Sequence, residues 1–363
     1  MSFKKEKKKM LDQHNLYMHR CLQLAKHAAG NVAPNPMVGA VLVYNEKIIG
    51  EGYHKKFGEA HAEVNCINSV KEENKNLINQ STLYVSLEPC SHFGKTPPCT
   101  DLIIKNKTPA VVLGCKDVYK EVDGKGIKKL QDAGIIVTTA VLEKECIGLN
   151  KRFFTFHQQQ RPYIILKWAE TANAKIGSFS TCGEGRGEER IYISNQYSNR
   201  LVHQWRSEES AILIGTNTAL LDDPSLTTRS WPGNNPVRLV IDMNLRLPSH
   251  LKIFNKETRT IIFNNLKYEE DENLIFYKIE KGNILPQILN ALYGLQIQSV
   301  IVEGGAILLQ SFIDEGLWDE VRVIHNEQMT ISNGINSPEL KNAVLKTQEN
   351  YFNDTVSYFL PSS

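Results

Sequence analysis

Short β-branched runs recur along this chain, and between them the apolar residues fall at helical spacing. That alternation leaves few folds open. Residues 38–44 (VGAVLVY), 82–87 (TLYVSL) and 110–114 (AVVLG) read as buried strands. Helical patterns occupy 17–29, 60–70 and 125–133, with Gly134 placed to stop the last of these. The expectation is an α/β architecture, a sheet covered by helices.

A second series begins after 150–162 (NKRFFTFHQQQRP), a stretch with three glutamines and no clear period. Strands are predicted at 163–168, 211–215, 237–242, 260–263, 274–279, 299–303 and 321–325, with helices at 196–207 and 306–315. A length of 363 residues accommodates two domains, each with its own core. The boundaries expected are 1–150 and 151–363, and no repeat of solenoid period interrupts them.

With 42 Lys+Arg against 40 Asp+Glu the formal charge is +2, which gives no global attraction to nucleic acid or to an acidic membrane. No apolar run approaches the roughly 18 residues of a membrane span. The lysine-rich stretch 4–9 is followed by polar Asp12-Gln13-His14-Asn15 where a secretory signal would need an apolar core. As a charge run it reads as a solvated tail. Seven cysteines spread thinly over the chain do not form a disulfide framework, so a cytoplasmic location with free thiols is expected.

Those thiols matter at one place. His61-Ala62-Glu63 is followed by Pro89-Cys90-Ser91-His92 and by Pro97-Pro98-Cys99. A zinc ion that activates water takes three protein ligands and leaves one position open, and His61, Cys90 and Cys99 supply one imidazole and two thiolates. Glu63 stands where zinc deaminases carry a proton-shuttling carboxylate that does not bind the metal. Residues two apart do not share a face inside a helix, so the His61–Glu63 pair is expected at a helix start. Cys99 opens a helical stretch whose N-terminus would favour its thiolate. His92 is a weaker ligand candidate. Cys21, Cys66, Cys115, Cys146 and Cys182 are assigned to packing or chance.

Eight residues separate Cys90 from Cys99, where the general deaminase signature has two. With that spacing, residues 15–148 resemble the pyrimidine deaminase half of the bifunctional riboflavin-biosynthesis (RibD) family. The stretches Ala33-Pro34-Asn35-Pro36-Met37-Val38-Gly39-Ala40 and Gly52-Tyr53-His54 carry the resemblance further. It implies a cytidine-deaminase-like three-layer domain and a substrate that is a diaminopyrimidinone bearing a ribosylamino 5-phosphate. Asn35 would face the ring edge at the pocket wall; in its own right it is equally at home as a turn residue.

In the second half, 299–309 reads as strand, glycine pair, helix, an arrangement in which backbone N–H groups and a helix N-terminus can receive a phosphate. Together with Arg206, Gly215-Thr216-Asn217-Thr218 and the run from Asp222 to Arg229, residues 161–330 resemble the reductase half of the same family. The resemblance implies a dihydrofolate-reductase-like α/β domain that uses NADPH to reduce a ribosyl group to ribityl. It places Arg190, Arg206, Leu226, Arg229 and Glu303 at the substrate. Ala169, Tyr192, Thr218 and Asp222 fall at the cofactor, with Gly305, Ala306, Ile307, Leu308, Leu309, Gln310 and Ser311. Paired arginines suit a 5-phosphate because each guanidinium fork can bind its oxygens bidentately. Trp168 and Trp205 read as core.

Two stretches depart from the family pattern. Thr171-Ala172-Asn173-Ala174-Lys175 stands where a Ser/Thr-x-Asp-Gly-Lys/Arg turn is usual, and 180–190 is richer in Gly, Glu and Arg than expected. The leading expectation is therefore a bifunctional enzyme using Zn2+ and NADPH on a small phosphoribosylaminopyrimidine, without nucleic-acid or membrane partners and homo-oligomeric. The alternative is a zinc deaminase of another pyrimidine or an RNA base, with a C-terminal half that only binds or senses NADP.

Overall fold

A computed structural model describes residues 2–93, 97–119, 121–178 and 192–362. Arg190 and Cys182 lie outside the described residues, as does the departing stretch 180–190. The chain divides into two compact units, Met1–Gln159 and Gln160–Ser363. The division falls at Gln159/Gln160 rather than at the expected Asn150/Lys151. The helix Lys151–Gln159 buries Phe153 and Phe154 in the first unit's core, which holds it there.

The first unit runs α1 (Ser2–Lys26), β1 (Gly39–Tyr44), β2 (Lys47–Tyr53), α2 (Ala62–Asn68), a 3-10 segment (Glu72–Gln80), β3 (Thr82–Leu87), α3 (Cys99–Lys105), β4 (Ala110–Cys115), α4 (Lys125–Asp132), β5 (Ile136–Thr138), α5 (Glu143–Leu149) and α6 (Lys151–Gln159). Its sheet has the order β2-β1-β3-β4-β5, antiparallel across β2, β1 and β3 and parallel from β3 to β5. One face packs on Tyr17, Met18, Cys21 and Leu22 of α1 and on Phe153 and Phe154 of α6. The other packs on Cys66 and Ile67 of α2, Ile103 of α3 and Leu130 of α4. The result is three layers, as expected.

β2 is not among the predicted strands; Gly50 and Gly52 interrupt its apolar pattern. Both are there for helix packing. A Cβ at Gly52 would lie 2.3 Å from the Cys66 nitrogen, and one at Gly50 2.7 Å from the Cys66 oxygen. The lysine-rich stretch is helical, since α1 begins at Ser2, and Lys8 and Lys9 are exposed.

The second unit runs β6 (Tyr163–Thr171), β7 (Lys175–Ser178), α7 (Gln196–Glu208), β8 (Ala211–Gly215), α8 (Thr216–Asp222), β9 (Val237–Ile241), β10 (Thr260–Asn264), β11 (Glu269–Asp271), β12 (Leu274–Lys278), α9 (Ile284–Gly294), β13 (Ser299–Val302), α10 (Ala306–Asp314), β14 (Glu320–Asn326), β15 (Gly334–Asn336), β16 (Ala343–Tyr351) and β17 (Asp354–Pro361). Ten strands form one sheet in the order β11-β12-β10-β9-β8-β13-β6-β14-β17-β16. The seven from β12 to β14 are mutually parallel, and β11, β17 and β16 are antiparallel to their neighbours. Helices α9 and α10 cover one face and α7 and α8 the other, so the parallel strands are buried on both sides. Trp168 and Trp205 are core residues, as expected.

Where the family turn is altered, Asn173 ties the turn to Thr171 and Ile331. Its Oδ1 accepts from the Thr171 hydroxyl (2.7 Å) and from the Ile331 N–H (3.2 Å), and its Nδ2 donates to the Ile331 carbonyl (2.9 Å). Ala174 then takes a left-handed backbone, φ +55.

Candidate active sites

In the first unit three donor atoms converge. His61 is the N-cap of α2, in extended conformation, so its ring projects from the helix start while Glu63 lies in the first turn. Cys90 follows the end of β3, and Cys99 is the first residue of α3. The His61 Nδ1 stands 3.6 Å from Cys90 Sγ and 3.4 Å from Cys99 Sγ, and the three ligand atoms all lie within 4.8 Å of one another. Tetrahedral zinc with bonds near 2.3 Å to sulfur and 2.05 Å to nitrogen needs an S···N separation of about 3.5 Å. Among the described residues these three donors form the group, and their spacing fits a zinc ion. His92 is not part of this group; its Nε2 faces Glu121 Oε2 at 3.7 Å.

Glu63 is buried, and desolvation pushes its carboxyl above the ordinary range. The Cys90 thiol is drawn well down, first by the hydrogen bond with the Cys99 thiol and then by His61. The N–H of Cys99 also donates to Cys90 Sγ at 3.3 Å. The start of α3 thus serves the other cysteine's sulfur rather than its own residue's, a correction to the expectation for Cys99.

Asn35 meets a partner that the motif reading did not use. Its Nδ2 lies 3.2 Å from His54 Nε2, while His54 Nδ1 donates to the Ala60 carbonyl at 3.1 Å. The carbonyl can only accept, so Nδ1 carries the proton and Nε2 receives the Asn35 amide hydrogen. Burial holds the His54 pKa down and keeps the ring neutral. The His54 and His61 rings meet edge-on at 5.4 Å, which puts a polarity-defined Asn–His pair beside the donor triangle.

In the second unit the carboxyl ends of β6, β13 and β8 meet. Val302 is the last residue of β13 and pairs with Leu166 and Leu213. Lys167 and Ala169 therefore continue β6 past that end, beside Glu303 and Gly304, and Gly215 does the same on β8. Glu303 is the centre of the charge. Arg206 grips it with two bonds, Nε–Oε1 3.0 Å and Nη2–Oε2 2.7 Å, and donates through Nη1 to the Thr227 carbonyl at 3.3 Å. Lys167 Nζ lies 3.7 Å from Glu303 Oε2. Burial pushes Glu303 up, but Arg206 and Lys167 outweigh it and hold the carboxyl at about 2. Two residues expected to touch substrate separately are thus paired with each other, and Lys167 joins them. A lone lysine inside an apolar strand gave no pattern to find it by.

Leu226 is buried at 2% exposure with a left-handed backbone, φ +52. Arg229 is exposed, yet close enough to help depress the pKa of buried His203, which burial and Arg206 also lower, to about 4. At the glycine pair, a Cβ on Gly304 would lie 2.7 Å from Ile214 Cα and 2.9 Å from the Gly215 nitrogen. Gly305 caps α10 at φ +31, and a Cβ there would stand 3.4 Å from Thr218 Oγ1. The Gly304 backbone therefore packs directly on Ile214–Gly215, and Thr218 stands beside the start of α10. Of the other cofactor candidates, Ala306, Leu308, Gln310 and Ser311 are partly buried, Leu309 is buried, and Ile307 is 80% exposed. Ala169 is partly buried, Asp222 at the end of α8 is exposed, and Tyr192 is exposed at 68%.

A zinc-type donor group on one unit and, on the other, a glycine-opened helix start beside a partly buried charge cluster point to a fused deaminase–oxidoreductase. The comparisons narrow this. Residues 11–115 match the cytidine and deoxycytidylate deaminase zinc-binding region, and 162–327 match the RibD C-terminal domain. The riboflavin biosynthesis protein RibD of Aquifex aeolicus is 40% identical over 356 residues, covering 94% of this chain and 97% of its own. That of Escherichia coli is 34% identical over 329 residues, covering 86% and 87%. A diaminohydroxyphosphoribosylaminopyrimidine deaminase/5-amino-6-(5-phosphoribosylamino)uracil reductase from Thermotoga maritima superposes with a TM-score of 0.86 at 33% identity, over 97% of this chain and 99% of that one. This chain belongs to the RibD family of bifunctional riboflavin-biosynthesis enzymes.

Proposed function

We propose that this chain catalyses two successive steps: hydrolytic deamination of 2,5-diamino-6-(5-phosphoribosylamino)pyrimidin-4(3H)-one, then NADPH-dependent reduction of the product's ribosyl group to ribityl. The observation that carries the reading is the convergence of His61, Cys90 and Cys99, whose donor atoms lie within 4.8 Å of one another, with buried Glu63 beside them. Zinc held by those three donors supplies a Lewis acid that brings the pKa of water toward about 7. Glu63, whose carboxylate is made a stronger base by the desolvation that raises it, takes a proton from the attacking water and delivers it to the exocyclic nitrogen, which leaves as ammonia. Asn35, oriented by neutral His54, offers amide hydrogen-bonding groups to the pyrimidine edge.

In the second unit NADPH, when bound, supplies the hydride for the sugar C1. Gly305 through Ser311, with Thr218, Ala169 and Asp222, would hold it, the backbone of the glycine pair receiving a phosphate. Arg206, exposed Arg229 and Glu303 would contact the phosphorylated substrate, with Arg206, Glu303 and Lys167 acting as one charge-compensated cluster. The family pattern adds Tyr192 and, outside the described residues, Arg190.

We read the enzyme as cytoplasmic and homo-oligomeric, without a nucleic-acid partner. Among the described residues no helix is long and apolar enough to cross a membrane. Ammonia release and NADPH oxidation, followed separately from the diaminopyrimidinone phosphoriboside, test the proposal. The expected result is ammonia first and NADPH consumption dependent on it. NADPH binding without oxidation in the presence of deaminated product would leave the second unit a sensor.

A further inference from the structure

The C-terminal hairpin β16–β17 lies beyond the region matched to the RibD C-terminal domain, which ends at 327. Its turn is tied to the start of α7, the helix whose last turn carries Arg206. Asp354, 0% exposed, accepts the Asn195 N–H at 2.8 Å and the Ser198 hydroxyl through the same Oδ2. Asn195 is the N-cap of α7; its Oδ1 accepts from the N–H groups of Tyr197 and Ser198, and its Nδ2 donates to the Tyr351 carbonyl at 2.7 Å. Tyr197 stacks on Phe352 with ring centres 4.5 Å apart.

A second tie lies further along. Trp205 meets Tyr358 of β17 edge-on at 6.0 Å, and Val202 and Val356 share one buried cluster between the two ties. From Ser198 to Trp205 a helix rises about 10.5 Å. From Asp354 to Tyr358 a strand rises about 13 Å. Helix and strand thus run side by side over about 10–13 Å, fastened at both ends. Arg206 is the residue after the second fastening. A slip of one turn would carry it about 5.4 Å, far outside its 2.7 Å contact with Glu303.

We propose that Asp354 is a positioning residue of the reductase site: by fixing the N-terminal register of α7 it places Arg206 against Glu303 and so sets affinity for the phosphorylated pyrimidine. The proposal rests on the reductase reading above. In the full-length enzyme, Asp354→Ala is expected to raise KM for the deaminated substrate about tenfold, with NADPH affinity within about twofold of the unaltered chain. Amide hydrogen exchange should quicken over 196–208 and not in α9 or α10. Ser198→Ala removes one donor without lowering helix propensity and should shift KM the same way by less. Asp354→Asn keeps an acceptor of the same shape and should recover most of the affinity. Unchanged KM in Asp354→Ala, or NADPH affinity falling in step with substrate affinity, overturns the proposal. If the unaltered chain does not oxidise NADPH the reductase reading fails by itself; exchange over 196–208 then still decides the hairpin's role, and unaltered exchange overturns it.

Discussion

Glu63 is a carboxyl in surroundings that disfavour its charge, and that is what a proton carrier operating near neutrality needs. Glu63→Gln keeps the shape and the three donors of His61, Cys90 and Cys99. About one zinc per chain should remain by metal analysis while ammonia release falls at least about 100-fold. Near-full deamination by that variant would remove the role given to Glu63. Glu303 shows the opposite sign. Its folded pKa, about 2, lies below the ordinary carboxylate value, so the unfolded chain binds more protons between the two. The ion pair with Arg206 therefore stabilises the second unit fully above about pH 5, and that contribution fades as pH falls toward 2. Acid unfolding followed by circular dichroism should lose this pH dependence in Glu303→Gln.

Elements succeed here because backbones approach closely. Gly304 lets the ends of β13 and β8 touch, and Gly304→Ala would drive a methyl group into the backbone at Ile214 and Gly215. A loss of about 1–3 kcal/mol in thermal unfolding, with NADPH affinity falling alongside, is the expected outcome. The altered turn after β6 offers a gain instead. Ala174 holds φ +55, a conformation that strains an L-residue by about 1–2 kcal/mol, against about 0.5–1 kcal/mol of added chain entropy for glycine. Ala174→Gly should raise the melting temperature slightly; a fall would show that Ala174 packs usefully where it is. The departure of this stretch from the family pattern is visible in the sequence; the tie of Asn173 to Ile331 is not, because the two lie 158 residues apart.

For the whole molecule, the separation of chemistries follows the separation of cores. The zinc donors and Glu63 lie within Met1–Gln159, and the Arg206–Glu303 site within Gln160–Ser363. Removing metal with a chelator at neutral pH should abolish ammonia release yet leave NADPH oxidation intact when deaminated product is supplied. Loss of both activities together would show that the second unit depends on the metal.

Most strands and helices were readable because their periodicity is local, and the deaminase site was readable because its chemistry admits few residue types at few spacings. His61, Cys90, Cys99 and Glu63 stand out in any order of reading. What the amino-acid order could not disclose is which groups satisfy one another. Arg206 and Glu303 stand 97 positions apart and Asn35 and His54 19 apart, and neither pair carries a spacing rule. Lys167 and Asp354 look like ordinary strand residues until burial removes the water that would otherwise solvate their charges. Composition and periodicity set which surfaces must be covered; only the tertiary fold decides which buried charge faces which, because desolvation acts on neighbours in space.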